Sequence, residues 1–235
     1  MAATTGRTLR FAALATMIAG IGLLIFSALP TQLKTAVEPS RHLAEEAKSY
    51  LSKQGFRRSE VEAAGKSDVP SLPSMSHPLL GRPAPDIELS DHTGHRQALS
   101  DHLQNGPVLV VFYYGYYCDH CVAQLFALDA DYTRFRALGG QILAISADEP
   151  AHTAEQLATY GAFSFPVLSD SQNRVAANYG VYKPSKSPGS VELLHATFLV
   201  DQSGIVRWCQ YGLTPFTDNN SLLAELEKLS APQVP

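Results

Sequence analysis

Along this chain the spacing of hydrophobic and polar positions changes period several times, and each change marks an element. The strongest signal is Val108 to Tyr113, an unbroken apolar run rich in β-branched residues. It predicts a strand buried on both faces of a sheet. Past Gly115 the period becomes helical: Cys121, Leu125, Leu128, Tyr132 and Phe135 share one face of a helix that Gly139-Gly140 stops. Ile142 to Ile145 predicts a second buried strand, and Pro150 to Tyr160 a helix opened by Asp148-Glu149. A further strand is expected within Phe163 to Leu168, then a helix from Ser169-Asp170-Ser171 through Val175, Ala176 and Tyr179. Lys183 to Ser190 reads as a Pro/Ser/Gly loop without structure of its own. Ala196 to Val200 and Ile205 to Trp208 flank the turn Asp201 to Gly204 as a hairpin. A last helix over residues 219–230 carries Leu222, Leu223, Leu226 and Leu229. Ahead of the central strand, Gly81 to Leu89, the turn Asp91 to His95 and Arg96 to Leu99 suggest extended entry strands. Strands alternating with helices, followed by a hairpin and a helix, predict an α/β sandwich, a central mixed sheet flanked by helices.

The N-terminal part departs from this pattern. Arg7 and Arg10 precede Phe11 to Leu29, which carries no charge and only Thr16 and Ser27 as hydroxyls. At about 1.5 Å per residue this run approaches a hydrocarbon core of roughly 30 Å. The basic flank in front predicts a cytoplasmic N-terminus and an exported remainder. Signal peptides usually have shorter apolar regions, and Pro30 makes Ser27-Ala28-Leu29 a poor cleavage site. Both favour a retained signal-anchor, single-pass in the membrane; cleavage and secretion is the alternative. The organisation read from the sequence is residues 1–10 cytoplasmic, 11–29 transmembrane, 30–78 a membrane-proximal helix and Ser/Pro-rich linker, and 79–232 the folded domain. Within residues 30–78, Leu43, Ala47, Tyr50 and Leu51 share one helical face, and the whole segment reads as a mobile stalk.

Charge adds little: the net formal value is −4 over 235 residues, which suggests no nucleic-acid partner. Candidate chemistry is concentrated in Cys118-Asp119-His120-Cys121, where the buried strand gives way to the helix. Unpaired N–H groups and the macrodipole at a helix N-terminus favour a thiolate, and C-x-x-C cysteines there have pKa values lowered from about 8.5 to roughly 3.5–7.5. Cys118 is therefore read as the attacking thiol. Cys121, one turn further in, closes a short-loop Cys118–Cys121 disulfide. A zinc half-site would want a second C-x-x-C, and the remaining cysteine is Cys209 alone. Beside Trp208 on a strand, Cys209 reads as a buried apolar residue, with a resolving or intermolecular role as the alternative. His92 and His95 in a polar turn read as surface residues. No metal or cofactor is expected beyond the redox-active disulfide and an external thiol reductant.

Six ordered pieces resemble the AhpC/TSA (redoxin) branch of the thioredoxin superfamily, in its peroxiredoxin-like group: Gly-Arg-Pro-Ala-Pro-Asp at 81–86, Phe-Tyr-Tyr-Gly-Tyr-Tyr-Cys at 112–118, Leu-Ala-Ile-Ser-Ala-Asp at 143–148, Phe-Pro-Val-Leu-Ser-Asp at 165–170, Tyr-Gly-Val at 179–181 and Thr-Phe-Leu-Val-Asp at 197–201. The resemblance implies a thioredoxin-like sandwich. It also implies a thiol-dependent oxidoreductase that passes electrons from a thiol reductant protein to an oxidised protein or a hydroperoxide. Peroxide-reducing members carry a hydroxyl residue three positions before the attacking cysteine, a proline further upstream and an arginine beside the Thr-Phe strand. Here those positions hold Gly115, Val111 and His195. The C-x-x-C itself is similar to that of membrane-anchored disulfide reductases, which carry a cis-proline where this chain has Ala196. By the same resemblance His195 lies against the C-x-x-C and acts on the Cys118 thiol, a capping or surface histidine being the alternative, while His120 stabilises the thiolate as in some exported oxidants. Tyr116 and Tyr117 flank the thiol or border a partner groove together with Ala196 and Thr197; core packing of one of the two tyrosines is the alternative. Two rivals stay open: a Cu(I) carrier using Cys118, Cys121 and His195, although such carriers space their cysteines one residue wider, and a non-enzymatic redox sensor.

Overall fold

The apolar run at residues 108–112 lies at the middle of the sheet, as a strand without polar positions must. In the computed structural model, residues 45–53, 71–116, 119–184 and 190–230 are described, all within the unit Ser40–Pro235. Residues 45–53 are helical (α1). There follow β1 (Glu88–Asp91), β2 (Arg96–Ala98), α2 (Leu99–Leu103), β3 (Val108–Phe112), α3 (Asp119–Ala130), α4 (Tyr132–Ala137), β4 (Gln141–Ser146), α5 (Pro150–Tyr160), β5 (Val167–Ser169), α6 (Arg174–Asn178), β6 (Tyr182–Pro184), β7 (Val191–Leu193), β8 (His195–Val200), β9 (Val206–Gly212) and α7 (Asn219–Ser230). The main sheet has the order β2-β1-β5-β4-β3-β8-β9. β3, β4 and β5 are mutually parallel, and β8 runs antiparallel to both β3 and β9. The sheet is thus mixed, with helices on its faces.

The period of two along β3 divides the core. Val108, Val110 and Phe112 join Leu143, Ile145, Tyr179 and Phe198 on one face. Leu109, Val111 and Tyr113 face Cys121, Leu125, Leu128, Phe135, Trp208 and Leu222 on the other. The helical face read from Cys121 to Phe135 is therefore the inner face of α3 and α4. Between the two helices Asp131 is also buried, and its carboxylate accepts a hydrogen bond from the side-chain amide of Asn219 at 3.0 Å.

Three stretches differ from their expectation. Lys183 and Pro184 belong to β6, which pairs with β7 as a separate hairpin closed by a Lys183–Glu192 ion pair of 3.2 Å. Residues 71–77, assigned to the linker by composition, run along the outer edge of β9. There Met75 N–H donates to Cys209 O, Trp208 Nε1 to the Leu72 carbonyl and Tyr211 Oη to the Ser76 carbonyl. An edge strand presents a row of unpaired backbone groups, and this strap meets part of that requirement. α1, expected in a mobile stalk, packs Ala47 and Leu51 on the outer face of α3 at Ala123 and Ala127. α3 is apolar on two sides, so it needs cover on both. The run Phe11–Leu29 lies outside the described residues. Among these, no helix is long and apolar enough to cross a membrane.

Candidate active site

The C-terminal ends of β3 and β4 lie at one end of the sheet, together with the start of β8, because β8 is antiparallel to β3. In open α/β sheets this end is where ligands bind. The chain leaving β3 is held there on two sides. Tyr113 continues the pairing to β4, its N–H donating to the Ile145 carbonyl at 3.0 Å. Its side chain turns into the core beside Tyr116, ring centroids 5.8 Å apart. Burial pushes the Tyr113 phenol well above its usual pKa. Tyr114 points the other way and stacks on His195, centroids 4.2 Å apart and planes at 28°. His195, the first residue of β8, is buried.

Between these tyrosines, Gly115 has φ +118°, a left-handed value that disfavours a side chain. A Cβ there would stand 2.7 Å from Asp148 Oδ2 and 2.8 Å from Oδ1. Asp148 follows β4, and its carboxylate accepts the Tyr116 backbone N–H at 3.0 Å and the Ser146 hydroxyl at 3.1 Å. Burial raises the pKa of this acid, against the opposing effects of both hydrogen bonds and the nearby His152 charge. The space beside residue 115 is therefore filled by a carboxylate from another strand.

α3 begins at Asp119 and places Cys121 wholly inside, against the Tyr113 and Tyr116 side of the core. Cys121 is disulfide-bonded, whereas Cys209 is a free, buried thiol. Tyr117, Cys118 and the side chain of His120 lie outside the described residues. Of the Cu(I) set, Cys121 and His195 are described and buried, and Cys118 lies outside. One turn beyond Cys121, Gln124 Nε2 donates to Thr197 Oγ1 at 2.8 Å, tying α3 to β8 inside the core.

Of the residues expected to border a partner groove, Tyr116 and Thr197 are buried and pack inward, so their side chains do not line an open surface. Ala196 pairs with Phe112 on one side and Tyr211 on the other, and no peptide bond among the described residues is cis. With His195, Gln210, Tyr211, Gly212 and Phe216 it lines a cavity of about 120 Å³ at this end of the sheet. Cys209 lies under the strap, its Sγ donating to the Met75 carbonyl at 3.4 Å, and burial raises its pKa. His95 is exposed and bonded to Thr93 Oγ1 through Nδ1 at 2.9 Å. Tyr114, Asp148 and Gln124 join the site although no local pattern gives them a role in it. Asp148 carried a signal of place only, an acid two residues past the serine that ends a buried strand.

A mixed sheet flanked by helices, with the sequence Cys-x-x-Cys at 118–121 following its central strand, defines a thioredoxin-like, thiol-dependent oxidoreductase. Within that class the chain belongs to the AhpC/TSA family, whose model matches residues 80–209. It is 31% identical over 128 residues to the thiol-disulfide oxidoreductase ResA of Geobacillus kaustophilus (strain HTA426), covering 54% of this chain and 67% of that one. It is 27% identical over 186 residues to the chloroplastic peroxiredoxin Q of Populus jackii, covering 77% and 84% respectively. Among solved structures, the peroxidoxin BcpB of Mycobacterium tuberculosis superposes with a TM-score of 0.57 at 25% identity, covering 65% of this chain and 97% of that one.

Proposed function

We propose that this protein is a membrane-anchored thiol–disulfide oxidoreductase that reduces disulfides of exported proteins. The Cys118 thiolate attacks one sulfur of the substrate disulfide, forming a mixed disulfide and releasing the other sulfur as a thiolate. Cys121 then loses its proton to solvent and attacks Cys118 Sγ. The Cys118–Cys121 disulfide forms and the second substrate sulfur leaves, so that two electrons pass from the dithiol to the substrate. A thiol reductant protein restores the dithiol. His195, stacked on Tyr114 beside the loop, favours the thiolate, as does His120 between the cysteines. Residues 11–29 hold the domain on the exported side of the membrane.

The observation that carries the choice of a disulfide over a hydroperoxide is the contact between Gly115 and Asp148. Position 115 offers no side-chain hydroxyl, and the space one would occupy holds a carboxylate. Its Oδ2 already accepts the Tyr116 N–H and the Ser146 hydroxyl, so it does not stand in for the missing hydroxyl as a donor.

The test is rapid mixing of the reduced full-length chain in detergent with 5,5′-dithiobis(2-nitrobenzoate), and separately with hydrogen peroxide. Mass spectrometry then locates the bond formed. Fast exchange with the disulfide, slow reaction with peroxide and loss of both in Cys118→Ser are the expected results. Peroxide turnover as fast as the disulfide reaction would replace this reading with a peroxidase. Resistance of the full-length chain to alkaline extraction from membranes tests the anchor.

A further inference from the structure

We propose that Asp148 is a positioning residue of the redox site, its carboxylate clamping Gly115 and Tyr116 against the end of β4 and so setting where the chain delivers Cys118. This rests on the reading of Cys118 as the attacking thiol. Three observations meet at this side chain. Its Oδ2 accepts the Tyr116 N–H at 3.0 Å, across 32 residues of sequence. Both oxygens lie against the face of Gly115 from which a side chain would project. Ser146 buttresses it from β4, its hydroxyl donating to Oδ2 while accepting the Asp148 N–H at 3.2 Å. Tyr116 stands two residues before Cys118, and two residues of chain reach at most about 7 Å. A clamp on the Tyr116 amide therefore restricts the thiol that follows.

The same placement gives the clamp an electrostatic consequence. An ionised carboxylate near a thiol opposes thiolate formation, whereas the helix N-terminus favours it. The titratable groups that act on Asp148 are Tyr113 from the loop and His152 from α5. Burial holds the Tyr113 phenol neutral, and positive charge on His152 favours the Asp148 carboxylate. Position and charge are separable by substitution. Asp148→Asn keeps an acceptor oxygen of the same reach without the charge, and Asp148→Ala removes both.

The experiment measures the reaction of Cys118 in the reduced full-length chain with 5,5′-dithiobis(2-nitrobenzoate), and its alkylation by iodoacetamide across pH. Asp148→Ala is expected to slow the disulfide reaction roughly fivefold or more, as misplacement of a reacting group does, and Asp148→Asn to restore it to within about twofold. Asp148→Asn is also expected to move the alkylation inflection of Cys118 to lower pH. A rate for Asp148→Ala equal to that of the parent, or Asp148→Asn as slow as Asp148→Ala, would overturn the proposal. If Asp148→Ala does not fold, an unshifted inflection in Asp148→Asn overturns it instead. A parent Cys118 inert to both reagents would sink the thiol-redox reading itself, a result distinguishable from failure of the clamp.

Discussion

Gln124 on α3 and Thr197 on β8 meet in the core, amide nitrogen to hydroxyl oxygen at 2.8 Å, with neither residue exposed. The bond fixes the helix that carries Cys121 onto the strand that begins with His195. Gln124 Oε1 accepts no hydrogen bond among the described residues, so the pair is only half satisfied. Thr197→Val leaves the buried amide without its acceptor and is expected to cost about 1–3 kcal/mol. Replacing both partners, Gln124→Leu with Thr197→Val, should recover much of that loss, because two apolar groups of similar shape leave nothing unpaired. Urea denaturation of the three variants and the parent checks this.

Gly115→Ala combines a left-handed backbone with a Cβ 2.7 Å from Asp148 Oδ2. The backbone alone is expected to cost about 1–3 kcal/mol. Adding Asp148→Ala relieves the collision but not the backbone, so the double variant should regain only part of the stability. Full recovery would mean that φ at residue 115 carries no cost.

His77 lies between the rings of Phe198 and Tyr211, at 5.1 and 5.4 Å. Burial, and secondly the charge of Lys183, lower its pKa. The folded state therefore binds this proton less readily than the unfolded chain. The contribution is fully present above the unfolded value of about 6.5 and is lost as pH falls through it toward the folded value. His77→Gln should show a smaller fall in melting temperature than the parent between about pH 7.5 and 5.5. An equal fall in both would exclude His77 as a source.

Cys209 is buried beneath Ser74 and Met75, and its thiol is held in the neutral form by burial. Native protein with the C-x-x-C oxidised should react with a thiol reagent at Cys209 only as fast as the strap opens, and at once in denaturant. Ser74→Ala removes the hydroxyl that accepts the Cys209 N–H at 3.0 Å and should speed native labelling. Labelling unchanged by that substitution would show that the strap does not guard the thiol.

Ala47 on α1 is wholly buried against α3. Ala47→Glu puts a carboxylate without a partner into that contact, a cost the helix avoids by undocking. Tryptic cleavage after Lys53 should then accelerate by roughly fivefold or more while the melting of the main sheet changes little. Cleavage at the parent rate would mean that α1 stays docked by other contacts.

Much of the fold was legible beforehand for a local reason. A strand covered on both faces must be apolar throughout, as Val108 to Phe112 is, and a helix lying on a sheet must repeat its apolar positions every three or four residues, as Cys121 to Phe135 do. Gly139-Gly140 and the turn at Asp201 to Gly204 ended elements where backbone chemistry said they should. The β6–β7 hairpin escaped because three-residue strands around a Pro/Ser/Gly loop are too short to show a period. The strap at 71–77 escaped because it is recognised by its backbone bonds to β9, and composition does not register those.

The site divides along the same line. Local pattern alone located a C-x-x-C at a strand-to-helix junction and named an attacking and a resolving thiol, since both inferences depend on neighbours within one turn of chain. Nothing local joins Asp148 to Gly115, Tyr114 to His195 or Gln124 to Thr197. Those partners are separated by tens of residues and meet only once β4 and β8 flank β3. Strand order is set by the summed packing of two core faces, and the period of any one element does not carry it.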